Sequence, residues 1–351
     1  MAAAVYQSPG VITVEERPVP LPGPDQIVVR VDHCGICGSD IHQLKDGWGL
    51  PPGSVAGHEW TGTIAALGKS VTNWAVGERV VGGPSPKCGT CRRCLEGKPS
   101  QCENRASMIT DHFDGAFAEF ILVRAASLLR LPEGLSPRHA ALAEPLAVAL
   151  HGITRSGVKP GDRTMVFGAG PIGALTIAAL RTLGIEHISV VEPAESRQEL
   201  ARQLGATEVV HPSELELFPS WEPEKLSSRA VHAVLECSGH KTAIEAGFNQ
   251  LLRGGILVMV GAGIEHPTFD PNRMILNELT VTGSFIYDAG GFEHALELLS
   301  HASFPSDLLI DPVDIPLTGI VDALESLASG RIAGKVMVVP EVRGDSGTNP
   351  S

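Results

Sequence analysis

A glycine-rich loop near the middle of the chain restricts the possible folds more than any other segment. Gly168-Ala-Gly170-Pro-Ile-Gly173 has the pattern Gly-x-Gly-x-x-Gly, and it joins a short apolar run at 164–167 to a segment of helical length that begins at Pro171. In a strand–loop–helix unit, such glycines permit a tight turn, close approach of the backbone to a pyrophosphate, and close contact between helix and strand. The sequence therefore predicts a parallel sheet that binds a dinucleotide.

Short apolar segments alternate with segments of helical length in this part of the chain. Strand-like and helix-like segments pair as 188–191 with 194–204 and 233–236 with 242–252, followed by strand-like runs at 256–260 and 279–282. This alternation implies parallel strands joined by right-handed crossovers. We therefore expect an α/β domain with a doubly wound, Rossmann-type sheet.

The first third of the chain has the pattern of a β-rich domain. Its β-branched runs are bounded by proline and glycine, as is typical of short strands, and they lie at 11–14, 26–31, 60–65 and 78–81. Many short strands favour a barrel-like or sandwich-like domain. We divide the chain into a β-rich domain at 1–152, an α/β domain at 153–288, and a tail at 289–351 that is expected to return to the first domain.

Composition excludes several classes of partner. The formal net charge is −13, from 27 Lys and Arg against 40 Asp and Glu, so nucleic acid would be repelled on average. No apolar run approaches the roughly 20 residues that a membrane span needs, and the N-terminus lacks the basic flank and apolar core of a secretory signal. We therefore expect a soluble cytoplasmic protein without a nucleic-acid or membrane partner.

Four of the seven cysteines crowd into one short segment, and an odd number at this density argues against a disulfide framework. Cys88, Cys91, Cys94 and Cys102 form the pattern C-x2-C-x2-C-x7-C. Four thiolates on a loop that contains glycine, proline and serine can close around one tetrahedral Zn(II), and a site of four sulfurs without an open position is structural rather than catalytic. Iron–sulfur ligation is the alternative.

A second group of potential ligands is chemically mixed. Its members are Cys37, His58, Glu59 and Glu144, with Ser39, Asp40 and His42 as polar neighbours. One sulfur, one imidazole and carboxylates, with a position left for water, are typical of catalytic zinc. Asp40 is a candidate acceptor that would orient the imidazole. A redox role for Cys34 and Cys37 is the alternative, although the thioredoxin-like context is absent.

Together these motifs resemble the zinc-dependent medium-chain dehydrogenase/reductase family, which includes alcohol, sorbitol, threonine and butanediol dehydrogenases. The resemblance runs from Cys37 to Gly334-Lys-Val336 and so covers nearly the whole chain. It implies a GroES-like β-barrel catalytic domain beside the Rossmann-type domain, and one catalytic and one structural Zn(II) per chain. It also implies an enzyme, a homodimer or homotetramer, that transfers a hydride between NAD and a primary or secondary alcohol or polyol, with the aldehyde or ketone as product.

The resemblance implies roles for individual residues of the catalytic site. Cys37 and His58 match the zinc ligands, and Glu59 matches a carboxylate that ligates the metal or lies just behind it. Glu144 matches the polyol-dehydrogenase branch, in which this glutamate reaches zinc directly or through water. The cysteine quartet matches the structural zinc set. The proton relay is matched by Ser39 and His42.

Residues of a cofactor site follow several of the expected strands. The glycine loop contributes Gly168, Gly170, Pro171, Ile172 and Gly173. Glu192 follows the loop by about 20 residues, where a carboxylate accepts hydrogen bonds from the adenosine ribose hydroxyls and repels a 2′-phosphate, so NAD is favoured over NADP. Arg197 would stack on adenine or would support NADP. The resemblance adds backbone contacts near the nicotinamide from Val260, Gly261, Ala262, Ser284 and Phe285, and a basic residue near the pyrophosphate, Lys335.

Three positions depart from the family pattern. Gln43 stands where sorbitol enzymes have Tyr, and Ile286 stands where they have Arg. Both family residues contact polyol hydroxyls, so their loss allows a substrate less polar than sorbitol. Gly38 stands where ethanol-type members carry a basic phosphate contact.

Two other functions fit the same scaffold. One is a zinc-free quinone or enoyl reductase that uses NADPH, and the complete set of metal ligands argues against it. The other is a non-catalytic NAD-binding protein, and the complete relay with an open metal position argues against it. Zinc content and NAD-linked turnover distinguish the three.

Overall fold

The β-rich part of the molecule forms from the β-branched runs of the sequence. The computed structural model describes residues 1–47, 49–83, 87–105 and 115–340. Its first strands are β1 (Ala2–Ser8), β2 (Val11–Glu16), β3 (Gln26–Gly35), β4 (Glu59–Leu67), β5 (Arg79–Gly82), β6 (Phe120–Arg124) and β7 (Leu129–Arg130). β1 and β2 pair as a hairpin. The others join β14 (Met337–Val338) in an antiparallel sheet of order β14-β3-β4-β5-β7, in which β6 also pairs with β3.

The pairing of β3 with β4 brings two separate sequence motifs together. The register opposes Gly35 to Glu59. Because the two strands are antiparallel, the end of β3 and the start of β4 lie at the same edge of the sheet. Cys37 follows β3 at the start of helix α1 (Gly38–Asp46), and His58 immediately precedes β4. The sheet thus places the expected metal ligands side by side.

A second sheet is parallel throughout. Its strands are β8 (Arg163–Phe167), β9 (His187–Val191), β10 (Glu208–Val210), β11 (Val231–Glu236), β12 (Leu251–Met259) and β13 (Thr280–Gly283). Their spatial order is β10-β9-β8-β11-β12-β13, so the direction of winding reverses between β8 and β11. In doubly wound sheets the ligand crevice lies outside the carboxyl ends of the strands at this reversal.

The helices connect and cover the two sheets. After α1 they are α2 (Arg92–Leu95), α3 (Pro137–Ala140), α4 (Ala143–Ser156), α5 (Pro171–Thr182), α6 (Glu195–Gln203), α7 (Lys241–Asn249), α8 (Pro271–Leu276), α9 (Gly291–Ser300), α10 (Ser306–Leu309) and α11 (Ile320–Ala328). α5 begins with Pro171, whose missing N–H costs nothing in a first turn. α4 packs against α5 and α9 and contacts strands of both sheets, namely β4, β11 and β12.

The last part of the described chain contributes to the β-rich core. Ile320, Leu324 and Leu327 of α11 belong to one buried apolar cluster with Val29 of β3 and Val338 of β14. The molecule therefore combines a doubly wound parallel sheet with a separate antiparallel unit, as the sequence predicts. The expected boundary at 152/153 falls within α4, and the end of the expected tail, 341–351, lies outside the described residues. No helix among the described residues has both the length and the apolar character to cross a bilayer.

Candidate active site

Three potential metal ligands of different chemistry meet at the shared edge of β3 and β4. One ligand atom from each of Cys37, His58 and Glu59 lies within 4.8 Å of the others. Glu59 is fully buried, and the side chains of Cys37 and His58 are partly accessible from a cleft that they help to line. The mixture of sulfur, imidazole and carboxylate suits catalytic zinc, which keeps one position open for water or substrate.

Asp40 fixes this arrangement from inside α1. Its Oδ2 accepts a hydrogen bond of 2.8 Å from the backbone N–H of Cys37, which caps the helix, and its Oδ1 lies 3.6 Å from Nδ1 of His58. Asp40 is fully buried, and this burial raises the pKa of its carboxyl against the opposing effect of His58. Asp40 thus lies beside the imidazole that it is predicted to orient.

Lys335 and Glu59 form a fully buried ion pair behind the site. Lys335 Nζ donates to Glu59 Oε1 at 2.7 Å and to the carbonyl of Ile36 at 3.0 Å. The other carboxylate oxygen, Oε2, is buried and has no hydrogen-bond partner among the described residues. An unsatisfied buried carboxylate oxygen beside a thiol and an imidazole fits a metal ion as its missing partner.

The position of Lys335 differs from the expected one. The resemblance placed it near the cofactor pyrophosphate, whereas the structure buries it behind Glu59, and it is absent from the residues that line the cleft. The cause lies in the following strand, because β14 pairs with the end of β3 and opposes Met337 to Gly35. This pairing brings Lys335 to the edge where Glu59 lies.

Glu144 lies in the first turn of α4, is buried, and lines the cleft. It is outside the three-residue ligand group, and its burial raises the pKa of its carboxyl to about 7. Ser39 and His42 also line the cleft, and Ser39 Oγ lies 3.5 Å from Nε2 of His58. Ser39, His42 and Glu144 therefore line one cleft with Cys37 and His58, and Glu144 lies outside the group of three potential ligands.

The second group of sulfurs lies in a segment that we call the cysteine lobe (residues 87–105). The thiols of Cys88, Cys91, Cys94 and Cys102 all lie within 4.8 Å of one another, and Sγ of Cys91 is 4.0 Å from Sγ of Cys102. Zn–S bonds of 2.3 Å in a tetrahedron separate the sulfurs by about 3.8 Å. Hydrogen bonds, chiefly from Thr90, lower the pKa of Cys88 to about 5, whereas burial raises the pKa of Cys94 to about 12. Only the first of these shifts favours the thiolate form that binds metals. These four residues fit a closed zinc site.

A cleft of about 1900 Å³ connects the ligand group with the carboxyl ends of the parallel strands. Most of the expected site residues line it. They are Cys37, Ser39, His42, His58, Cys88, Glu144, Gly168, Gly170, Pro171, Ile172, Glu192, Arg197, Val260, Gly261, Ala262, Ser284 and Phe285. The expected residues that do not line it are Glu59, Gly173, Lys335 and the other three cysteines of the quartet. Apolar lining residues such as Leu50, Trp60 and Val148 were not expected, since no motif marks them.

Glu192 holds the glycine loop in shape. Its Oε2 accepts a hydrogen bond of 2.7 Å from the N–H of Ala169, and its Oε1 accepts one of 2.9 Å from the N–H of Ala194. Each carboxylate oxygen has a second lone pair, so both can still accept from a ligand hydroxyl. Arg197 donates to the carbonyl of Leu327 at 2.8 Å, and so it links the cofactor side of the cleft to the end of α11. Sequence reasoning did not foresee this link.

Comparison with known proteins gives consistent matches over the chain. The family model for the alcohol dehydrogenase GroES-like domain matches residues 23–133, and the model for zinc-binding dehydrogenase matches residues 171–301. Sorbitol dehydrogenase of Bacillus subtilis is 31% identical over 346 residues, covering 97% of each chain. D-xylulose reductase A of Aspergillus oryzae is 33% identical over 297 residues, covering 82% of this chain and 83% of that protein. A Sinorhizobium meliloti 1021 protein assigned as a zinc-binding dehydrogenase, solved bound to NADP, superposes with a TM-score of 0.83 at 32% identity, over 97% of this chain and 99% of that one.

Proposed function

Because this chain belongs to the zinc-dependent medium-chain dehydrogenase/reductase family, in its polyol-dehydrogenase branch, we propose that it interconverts an alcohol or polyol and the matching aldehyde or ketone with NAD as hydride carrier. The observation that carries the proposal is the meeting of Cys37, His58 and Glu59 in the same cleft as the glycine loop. Hydride transfer requires the carbinol carbon of the substrate to lie against the nicotinamide ring, and one cleft contains both the potential metal ligands and the glycine loop.

Each residue of the site has a proposed task. When bound, zinc would polarise the substrate oxygen and NAD would accept the hydride. Cys37, His58 and Glu59 hold the metal, with Glu144 beside them in the cleft. Lys335 neutralises the glutamate Oε1 from behind. The released proton would leave through Ser39, a ribose hydroxyl of the cofactor and His42, and both side chains line the cleft.

NAD and NADP are the two candidate cofactors. Glu192 would accept the ribose hydroxyls and repel a 2′-phosphate, which supports NAD. The Sinorhizobium protein was solved with NADP. The guanidinium of Arg197 is partly engaged by backbone carbonyls of the α11 end, which leaves less of it for a phosphate. We therefore propose NAD as the preferred cofactor.

The wider assignments are also proposals. We propose that 1–152 and 289–351 form the catalytic unit and 153–288 the cofactor unit, and that the enzyme is a cytoplasmic homodimer or homotetramer. An odd number of cysteines at low density, seven in 351 residues, supports a reducing compartment. The net charge of −13 supports the absence of a nucleic-acid partner.

Metal analysis combined with a coupled activity panel tests the function. We expect two zinc ions per chain and NADH formation with polyols and secondary alcohols, faster with NAD than with NADP. His58→Ala should lose turnover and one zinc while it still binds NADH, whereas His266→Ala, which changes an exposed histidine, should behave as the parent. Reduction of quinones or enones by a protein without zinc would overturn the proposal in favour of the reductase. NADH binding without turnover on the whole panel would favour the non-catalytic protein.

A further inference from the structure

The segment 284–289, which we call the wall segment, forms one side of the cleft. Ser284, Phe285 and Ile286 line the same cleft as Cys37 and Glu144. Ile286 has φ of 42°, in the left-handed region that a β-branched residue rarely adopts. A backbone of this kind persists only where its surroundings over-determine it, and such residues cluster at functional sites. The contacts that hold the wall segment therefore matter for the shape of the cleft.

The cysteine lobe supplies contacts on both sides of Ile286. The hydroxyl of Ser100 donates to Asp288 Oδ1 at 2.7 Å, and the backbone N–H of Ser100 approaches the same oxygen at 3.3 Å. The N–H of Ala289 donates to the carbonyl of Gly97 at 3.1 Å. On the other side, the guanidinium of Arg105 lies 4.3 Å from the ring centre of Phe285.

Helix α4 supports the wall segment from a second direction. Nδ1 of His151 lies 4.0 Å from Asp288 Oδ2, and Nε of Arg155 donates to the carbonyl of Gly283 at 3.2 Å. The buried ring of Tyr287 packs edge-on against Phe292. Asp288 thus lies between the lobe and α4: its Oδ1 accepts the hydrogen bond from Ser100, and its Oδ2 faces the imidazole of His151 at 4.0 Å.

The lobe has little packing of its own to keep Ser100 in place. Among its described residues, the α-helix α2 has four residues and no buried side chain, and the 3-10 turn Pro99–Gln101 buries Ser100 alone. Ser100 itself is buried, and it lies in the chain between the two quartet members Cys94 and Cys102. A segment this small without an apolar core depends on its cross-links for its shape. The shape of the quartet therefore sets the position of Ser100.

We propose that Asp288 is a positioning residue that couples the cysteine lobe to the substrate side of the cleft. Through Ser100 and Asp288, the closed quartet holds Phe285 and Ile286 in the wall of the cleft that Cys37 and Glu144 also line. The inference rests on the proposed function for its kinetic consequence, but the coupling itself is a property of these residues. It assigns to the lobe a part in substrate binding, whereas the sequence assigned it a structural task only.

The test compares Asp288→Ala and Ser100→Ala in the zinc-loaded full chain. The wall segment contacts the bound substrate and the transition state equally, so its displacement should raise KM for the preferred alcohol and leave kcat nearly unchanged. We expect KM to rise about tenfold, which is the effect of losing a hydrogen bond to a charged group. Amide hydrogen exchange in 284–289 should be faster, and zinc should stay at two per chain. Asp288→Asn keeps an acceptor for Ser100 and should resemble the parent, as should Asp314→Ala, which breaks an ion pair with Arg138 outside the cleft.

The two proposals fail in different ways. If Ser100→Ala exchanges in 284–289 at the parental rate, the coupling is overturned, whatever the kinetics. A second result would also overturn the inference. If exchange in 284–289 is faster in the variants but KM and kcat change together, Asp288 stabilises the fold without positioning the wall segment. If the parent protein turns over none of the alcohol panel, the proposed function fails, and the exchange measurement still decides the coupling. Should Asp288→Ala not fold, the smaller Ser100→Ala change carries the test alone.

Discussion

The buried pair of Lys335 and Glu59 illustrates what a single residue contributes at this site. Both side chains are almost wholly inaccessible, and their charged atoms lie 2.7 Å apart. Removing one partner of such a pair leaves an uncompensated charge in a medium that solvates it poorly. At this position the remaining charge would be the carboxylate that we expect to face the metal.

Replacing Lys335 with Met should therefore destabilise the protein strongly. We expect the free energy of unfolding to fall by about 3–5 kcal/mol, the usual cost of breaking a buried pair. Urea denaturation of protein from which zinc has been removed measures this loss, because no metal then compensates the Glu59 carboxylate. The double variant Lys335→Met with Glu59→Gln removes both charges and should recover part of the loss. A single variant as stable as the parent would show that Glu59 does not need Lys335.

Local sequence patterns predicted the ligands but not this pair. Cys37 and His58 stand in short motifs whose spacing is visible in the sequence, whereas Lys335 and Glu59 are 276 positions apart. Only the pairing of β14 with β3 brings them together. Asp288 and Ser100, 188 positions apart, were missed for the same reason.

At the scale of elements, glycine is required at two positions of the glycine loop for different steric reasons. A Cβ on Gly173 would lie 1.8 Å from the carbonyl oxygen of Gly168, so a side chain there would disrupt the contact of α5 with β8. A Cβ on Gly170 would meet nothing nearer than Arg197 at 3.8 Å. Gly170 is therefore free to carry a side chain until a pyrophosphate approaches the loop.

The two alanine substitutions should separate folding from cofactor binding. Gly170→Ala should keep the melting temperature of the cofactor-free protein and weaken NADH binding about tenfold or more, the cost of roughly 1.4 kcal/mol of steric conflict. Gly173→Ala should lower the melting temperature as well. Thermal unfolding and NADH titration by fluorescence measure both quantities. Undiminished NADH affinity in Gly170→Ala would contradict the expected path of the pyrophosphate.

Most elements with a strong periodic pattern were predicted closely, and the exceptions have local causes. The helix expected at 171–183 is α5, Pro171–Thr182. The helix expected at 242–252 ends at Asn249, because β12 already begins at Leu251. Gly254, with φ of 74°, kinks β12, so the sequence shows only its second half as a continuous apolar run. A short apolar stretch beside a helix is ambiguous until its sheet partner is known.

At the scale of the whole molecule, residues near the end of the described chain pack into the same apolar core as residues of the first strands. Leu317, Ile320, Leu324, Leu327 and Val338 are buried in one cluster with residues of β3 and β4. Burying an aliphatic side chain stabilises a protein by roughly 1.5–3 kcal/mol, so five of them match the net stability of a typical domain.

A chain that ends at Pro305 should therefore lose the β-rich unit. We expect little soluble protein and no fixed environment for Trp60, which near-ultraviolet circular dichroism would show. Co-expression of residues 306–351 as a separate segment should restore solubility at least in part. A shortened chain that folds by itself would contradict the assignment of α11 and β14 to this core.

The general division into a β-rich and an α/β part was visible in the sequence, because each part has its own hydrophobic period. The residues at which one part ends and the next begins were not visible in the sequence, and the domain boundaries remain a prediction. Helix α4 is the reason, since its expected midpoint boundary lies inside a continuous helix that contacts both sheets.

The same helix has a consequence for attempts to recombine this enzyme with its relatives. A chimaera that takes its nucleotide half from another parent would have its crossover near residue 152 if it followed the boundary predicted from the sequence. Here that junction would join half a helix from each parent, and the packing toward β4 and toward β11 would come from different lineages. Crossovers placed after Ser156 keep α4 whole and confine the foreign surface to one side.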